Sequence, residues 1–151
     1  MRKILIVDDD VTSVAIVKAL LSDEFDVVTA NSGLEALGHL QKDPDLSLIL
    51  LDMIMPGASG MDVLKALKGS DSWSEIPVIF LTSMEKMRVE LEGFANGAAD
   101  FIQKPVNADL LRLKIKRQLF IRDLKMENQH LQKTLQQIKS RVDQIFDEAM
   151  Q

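Results

Sequence analysis

Residues 46–60, Leu-Ser-Leu-Ile-Leu-Leu-Asp-Met-Ile-Met-Pro-Gly-Ala-Ser-Gly, decide the fold. A short apolar run ends abruptly in a carboxylate, Asp52. A Pro-Gly loop follows, and then a helical pattern over Met61–Lys68. The six-residue run Leu46–Leu51, apolar except at Ser47, is too short for a buried helix and reads as a strand covered on both faces. Pro56, Gly57 and Gly60 punctuate the turn into the helix.

The same unit recurs along the chain. Lys3–Val7 is a strand that runs into Asp8, Asp9 and Asp10, and Val11–Leu21 follows at helical spacing, with Asp10 or Thr12 as its cap. Asp26–Ala30 is a strand and Ser32–Gln41 a helix; Asp43-Pro44-Asp45 breaks the chain. Pro77–Leu81 is a strand ending at Thr82, followed by a helix over Glu85–Ala95 that Gly97 stops. Asp100–Gln103 is a short fifth strand that meets Lys104-Pro105, and everything after about Asn107 reads as helix. Apolar strands alternating with helices imply an α/β protein, doubly wound around a five-stranded parallel sheet.

In such a sheet ligands bind beyond the carboxyl ends of the strands. There the sequence places Asp8, Asp9 and Asp10, then Asp52, Thr82 and Lys104. Clustered carboxylates repel and raise one another's pKa. A hard divalent cation relieves this, and Mg²⁺ is commonly held by one or two carboxylates and a phosphate oxygen. A carboxylate is also a nucleophile toward phosphoryl donors. Phosphoryl transfer needs chiefly positioning and charge neutralisation, which a hydroxyl (Thr82) and an ammonium (Lys104) supply.

These residues, in this order, resemble the receiver domain of two-component response regulators, from about Met1 to about Leu119. The resemblance rests on Asp8-Asp9, on Asp52 within Leu50–Gly60, on Thr82 after Val78-Ile79-Phe80-Leu81, and on Lys104-Pro105. It implies a flavodoxin-like sheet of order 2-1-3-4-5. It implies that Asp52 accepts a phosphoryl group from a sensor histidine kinase or phosphotransfer protein. It implies Mg²⁺ (or Mn²⁺) held directly by Asp9, Asp52 and the backbone carbonyl of Ile54, with Asp8 acting mainly through water. Thr82 and Lys104 would contact the phosphoryl group, and Phe101 would be the aromatic switch residue. The Lys104–Pro105 peptide is expected to be cis. Ile54 and Met84, two residues after Asp52 and Thr82, are apolar and should slow attack of water on the acyl phosphate. An alternative is a haloacid-dehalogenase-type phosphatase with Asp8 as nucleophile and Asp10 as acid/base, since Asp8–Thr12 also fits D-x-D-x-T. That reading lacks an acidic pair after the lysine and leaves Asp52 unexplained.

Composition excludes several classes. The 151 residues carry a net charge of −5, which argues against general nucleic-acid binding. Cysteine is absent, which excludes thiol catalysis and disulfide frameworks. No apolar run reaches the length of a membrane span, and a cytoplasmic protein of bacterial type is expected. His39 and His130 read as solvated, and the eight Met as core filler. No enzymatic activity is expected beyond self-phosphorylation and autodephosphorylation.

Every Gly and Pro lies at or before Pro105, so the last helix can run on unbroken. From Ile121 apolar positions step by three and four: Ile121, Leu124, Asn128, Leu131, Leu135, Ile138, Val142, Ile145 and Ala149. Four sustained heptads indicate a coiled coil, with Asn128 at an a position as in two-stranded parallel coils, although the e and g charges leave an antiparallel pair or a bundle open. At 1.5 Å per residue the seam 121–149 is about 43 Å long. The expected organisation is a receiver over 1–120 and a dimerising helix over 121–151. The helix carries no helix-turn-helix pattern, and direct DNA binding by this chain is not expected. The ending at Ala149-Met150-Gln151 in mid-helix suggests a chain cut before an output domain, the other reading being that the coil is itself the output surface.

Overall fold

The computed structural model describes residues 1–43, 45–83 and 92–151. Along the chain lie β1 (Lys3–Val7), α1 (Val11–Leu21), β2 (Asp26–Ala30), α2 (Gly33–Lys42), β3 (Leu46–Asp52), α3 (Gly60–Lys68), β4 (Val78–Thr82), β5 (Asp100–Gln103) and α4 (Ala108–Ala149). The strands form one sheet of order β2-β1-β3-β4-β5. Every neighbouring pair is parallel.

Successive strand residues point to opposite faces, so each continuous apolar run feeds two cores. Leu5, Val7, Ile49, Leu51, Val78 and Phe80 pack with the α2 and α3 side chains Leu40, Val63, Leu64 and Leu67. Ile4, Ile6, Leu48, Leu50, Ile79 and Leu81 pack with Val17 and Leu21 of α1 and with Leu111, Ile115 and Leu119 of α4. The doubly wound parallel sheet is the one read from the strand pattern, and its order is the flavodoxin-like one that the resemblance implies.

Helix starts follow side-chain capping. The Asp10 carboxylate accepts from Thr12 N–H, and Ser32 accepts from Glu35 N–H. Ser59 and Asp62 cap α3 reciprocally, and the Asn107 side chain accepts from Leu110 N–H at 3.0 Å. Helices α2 and α3 therefore begin at Gly33 and Gly60, each one residue away from the start read in the sequence. Two strands also shift. β3 includes Asp52, and β4 runs Val78–Thr82 rather than Pro77–Leu81. Pro77 has no N–H to donate to the ladder, though its carbonyl accepts from Ile49 N–H at 3.0 Å. The helix expected over Glu85–Ala95 falls mostly outside the described residues; 92–95 are helical.

The chain divides into two compact units, Met1–Leu119 and Phe120–Gln151. The second is helical nearly throughout, and Leu124, Leu131, Leu135, Ile138, Val142 and Ile145 are all exposed on it. Among the described residues no helix is long and apolar enough to cross a membrane.

Candidate functional site: an acidic cluster at the strand ends

Parallel pairing sets β1, β3, β4 and β5 side by side, so their last residues converge on one rim. Asp52 pairs with Leu81, and Thr82 with Gln103, next to Lys104. Thr82 is partly buried, and its carbonyl accepts from Lys104 N–H at 2.6 Å. Carboxylate oxygens of Asp8, Asp9 and Asp52 lie within 4.8 Å of one another. Asp8 and Asp52 are buried, and Asp9 is exposed.

Lys104 binds this cluster. Its Nζ donates to Asp8 Oδ2 at 2.9 Å and lies 3.6 Å from Asp52 Oδ1. Asp8 also accepts from Asp10 N–H at 3.0 Å. The Lys104–Pro105 peptide is cis. Burial, followed by the charge of Asp8, pushes the Asp52 carboxyl up to about 6, and Lys104 opposes this. At Lys104 burial disfavours the charge. The hydrogen bond to Asp8 and the charges of Asp52 and Asp8 outweigh it, and the ammonium is held above its usual value.

The donor set fits a hard cation. It is all oxygen, and ligands on opposite sides of a Mg²⁺ at 2.0–2.1 Å stand about 4.2 Å apart, close to the span of the cluster. Ile54 follows Asp52 closely, with its N–H 3.5 Å from Asp52 Oδ1. Its side chain is exposed, while Met84 lies outside the described residues.

Gly60 has a purpose that its reading as turn punctuation missed. A Cβ there would collide with the Asp52 carbonyl oxygen and stand 2.8 Å from Met53 Cα. Its N–H donates to Met53 O at 3.1 Å. The start of α3 is thus packed directly on the backbone that carries Asp52, an approach only glycine permits.

Phe101 is buried, its ring centroid 5.4 Å from Phe80 and 4.9 Å from Phe94. A Cβ on Gly93 would strike the Phe101 ring tip, so this glycine leaves the space in which the ring sits. Lys114 on α4 holds the same strand, donating to the Phe101 carbonyl at 2.7 Å and to Asp100 Oδ1 at 3.1 Å. Neither contact has a sequence signal, since each joins residues whose proximity depends on the finished sheet.

Asp10 is occupied as the cap of α1, where the Ser13 hydroxyl and then the Thr12 N–H hold its carboxyl below the usual range. After Lys104 the chain enters α4, with no strand end to carry a second acidic pair. The phosphatase reading finds no support here or in the comparisons below.

The folded chain holds the Asp52 proton more tightly than the unfolded chain, whose carboxylates titrate near 3.9. Stability without metal therefore falls as pH rises from about 4 to about 6 and then levels, on account of this group. Asp52→Asn should melt with the parent near pH 4. At pH 7 it should melt a few degrees higher, for a gain of about 1–2 kcal/mol after allowance for partial solvent screening. Thermal melts of both proteins in chelator test this; equal melting temperatures at pH 7 would contradict it.

The model of the response regulator receiver domain matches residues 4–116. A probable cyclic di-GMP phosphodiesterase of Vibrio cholerae is 38% identical over 112 residues, which are 74% of this chain and 25% of that protein. Response regulator PleD of Caulobacter vibrioides is 35% identical over 116 residues, 76% of this chain and 25% of PleD. The chain thus spans about a quarter of the length of these curated relatives. The crystal structure of a response regulator receiver domain protein from Clostridium thermocellum superposes with a TM-score of 0.77 at 31% identity, covering 82% of this chain and 98% of that one. Fold, rim residues and these matches agree: the chain belongs to the response regulator receiver domain family, whose place is in phosphorelay signal transduction.

Proposed function

We propose that Asp52 is the phosphoryl acceptor of this receiver. The observation that carries it is the half-buried Lys104 between the buried Asp8 and Asp52, beside Asp9, with Asp52 directly on the strand end. Asp8, Asp9, Asp52 and the Ile54 carbonyl would hold Mg²⁺ or Mn²⁺. When bound, the cation neutralises charge on the phosphoryl oxygens. An Asp52 carboxylate oxygen attacks phosphorus in line, and the bond from phosphorus to the donor's imidazole nitrogen breaks. The nitrogen leaves with the electron pair, and the acyl phosphate remains on Asp52. Lys104 pairs with one phosphoryl oxygen and gives up part of its hold on the carboxylates. The Thr82 hydroxyl donates to another.

The donor is a histidine kinase or a phosphotransfer protein in the cytoplasm. The chain is a switch rather than an enzyme. Thr82 and Phe101 relay the phosphorylated state of Asp52 to β5 and α4, where Lys114 is anchored on the Phe101 carbonyl. A receiver over residues 1–120 then controls a dimeric helix over 121–151. Exposure of the whole Ile121–Ile145 seam supports a second copy as its cover.

Acetyl phosphate with Mg²⁺ supplies the test, with a phosphate-affinity gel as readout. Uptake should need the cation and stop in chelator; uptake unchanged in chelator would contradict the metal reading. The exposed apolar Ile54 side chain bears on hydrolysis. Ile54→Asn should shorten the phosphoryl lifetime about fivefold, which corresponds to ~1 kcal/mol of barrier. A lifetime that lengthens would refute the shielding argument.

A further inference from the structure

We infer that the helical unit pairs with a second copy of this chain in parallel and in register, and that Asn128 imposes this alignment. The inference rests on the dimer reading above and adds orientation to it. In the seam the a column holds Ile121, Asn128, Leu135, Val142 and Ala149. The d column holds Leu124, Leu131, Ile138 and Ile145, all apolar and all exposed.

In an antiparallel pair each a residue packs against a d residue of the other strand. Every antiparallel alignment therefore sets the Asn128 amide against an aliphatic side chain and leaves it without a hydrogen-bond partner in a dry interface. Parallel strands shifted by one heptad set it against the partner's Ile121 or the partner's Leu135, with the same result. Only parallel, unshifted strands bring Asn128 to the partner's Asn128, where each amide can donate and accept.

Flanking charges do not reverse this preference. One long antiparallel overlap pairs Glu127 with the partner's Arg141 but sets Lys125 against the partner's Lys139. The other long overlap sets Glu127 against the partner's Glu148. The parallel alignment pairs Glu127 with the partner's Gln132 and Thr134 with the partner's Lys139, which brings no like charges together.

The chain has no cysteine, so single thiols report alignment directly. Leu124→Cys and Ile145→Cys, each in the full chain, should form disulfide-linked dimers on mild oxidation. Mixing Leu124→Cys chains with Val142→Cys or Ala149→Cys chains should give no mixed disulfide, because in the parallel dimer those thiols stand about 27 Å or more apart along the helices. Asn128→Leu, added to the mixed pairs, should release the constraint and let mixed disulfides form. Mixed disulfides in the parent background, or a dimer that fails to link through Leu124→Cys, would overturn the parallel alignment. An unchanged pattern in Asn128→Leu would overturn the role of the amide. Sedimentation velocity on the unoxidised parent separates these outcomes from failure of the dimer reading itself, which alone gives a monomer.

Discussion

Asp52→Asn should take up no phosphoryl group from acetyl phosphate and Mg²⁺, a fall of about three orders of magnitude or to background. The amide is no nucleophile at phosphorus. It also removes one of the three carboxylates whose oxygens cluster within 4.8 Å, so the cation binds less tightly. The fold should survive, because Asp52 resists ionisation in its place and its loss relieves a cost of burial. Residual Lys104–Asp8 pairing keeps the second buried carboxylate neutralised. A variant that melts normally and has lost uptake is the predicted result. Uptake at parental levels would remove Asp52 from the mechanism.

The second large effect concerns the helical unit. Leu131→Asp together with Ile138→Asp places four carboxylates in the middle of the proposed seam, two from each copy. Each would be buried without a cationic partner, so they stay solvated only if the strands separate. The dimer should weaken by about 4 kcal/mol or more, about three orders of magnitude in Kd, and run as a monomer at micromolar concentration in sedimentation. Uptake of phosphoryl groups by the receiver unit should stay at the parental rate, since neither residue belongs to Met1–Leu119. Persistence of the dimer would move the interface off this seam. Loss of uptake would show that the helix contributes to the receiver's chemistry.

Much of the receiver was legible because β1, β3 and β4 are buried on both faces and so leave nearly continuous apolar runs. Lys3–Val7, Asp26–Ala30 and Asp100–Gln103 stand where the runs begin and end. The sequence reading stopped one residue short at β3 and β4. Hydrophobicity stops at Leu51 and Leu81, yet backbone pairing continues through Asp52 and Thr82, which a polarity signal cannot follow. The rim residues could be named individually because strand ends in a parallel sheet share one side. The bond between Lys104 and Asp8 joins residues 96 positions apart, and nothing local encodes which acid the ammonium chooses. Gly60 and Gly93 show a second limit. Both look like ordinary helix or turn glycines, and only the neighbouring Asp52 backbone and Phe101 ring reveal why a Cβ is excluded. The heptad was readable because it is a local period, whereas the second copy proposed to cover it leaves no such signal in the sequence.

The most direct measurement is the identity of the labelled residue. The chain is incubated with acetyl phosphate and Mg²⁺, the acyl phosphate is reduced with borohydride, and the peptides are mapped by mass spectrometry. The geometry predicts a single reduced residue at Asp52. Reduction at Asp8 instead would contradict the central claim and reopen the chemistry of the β1 strand end.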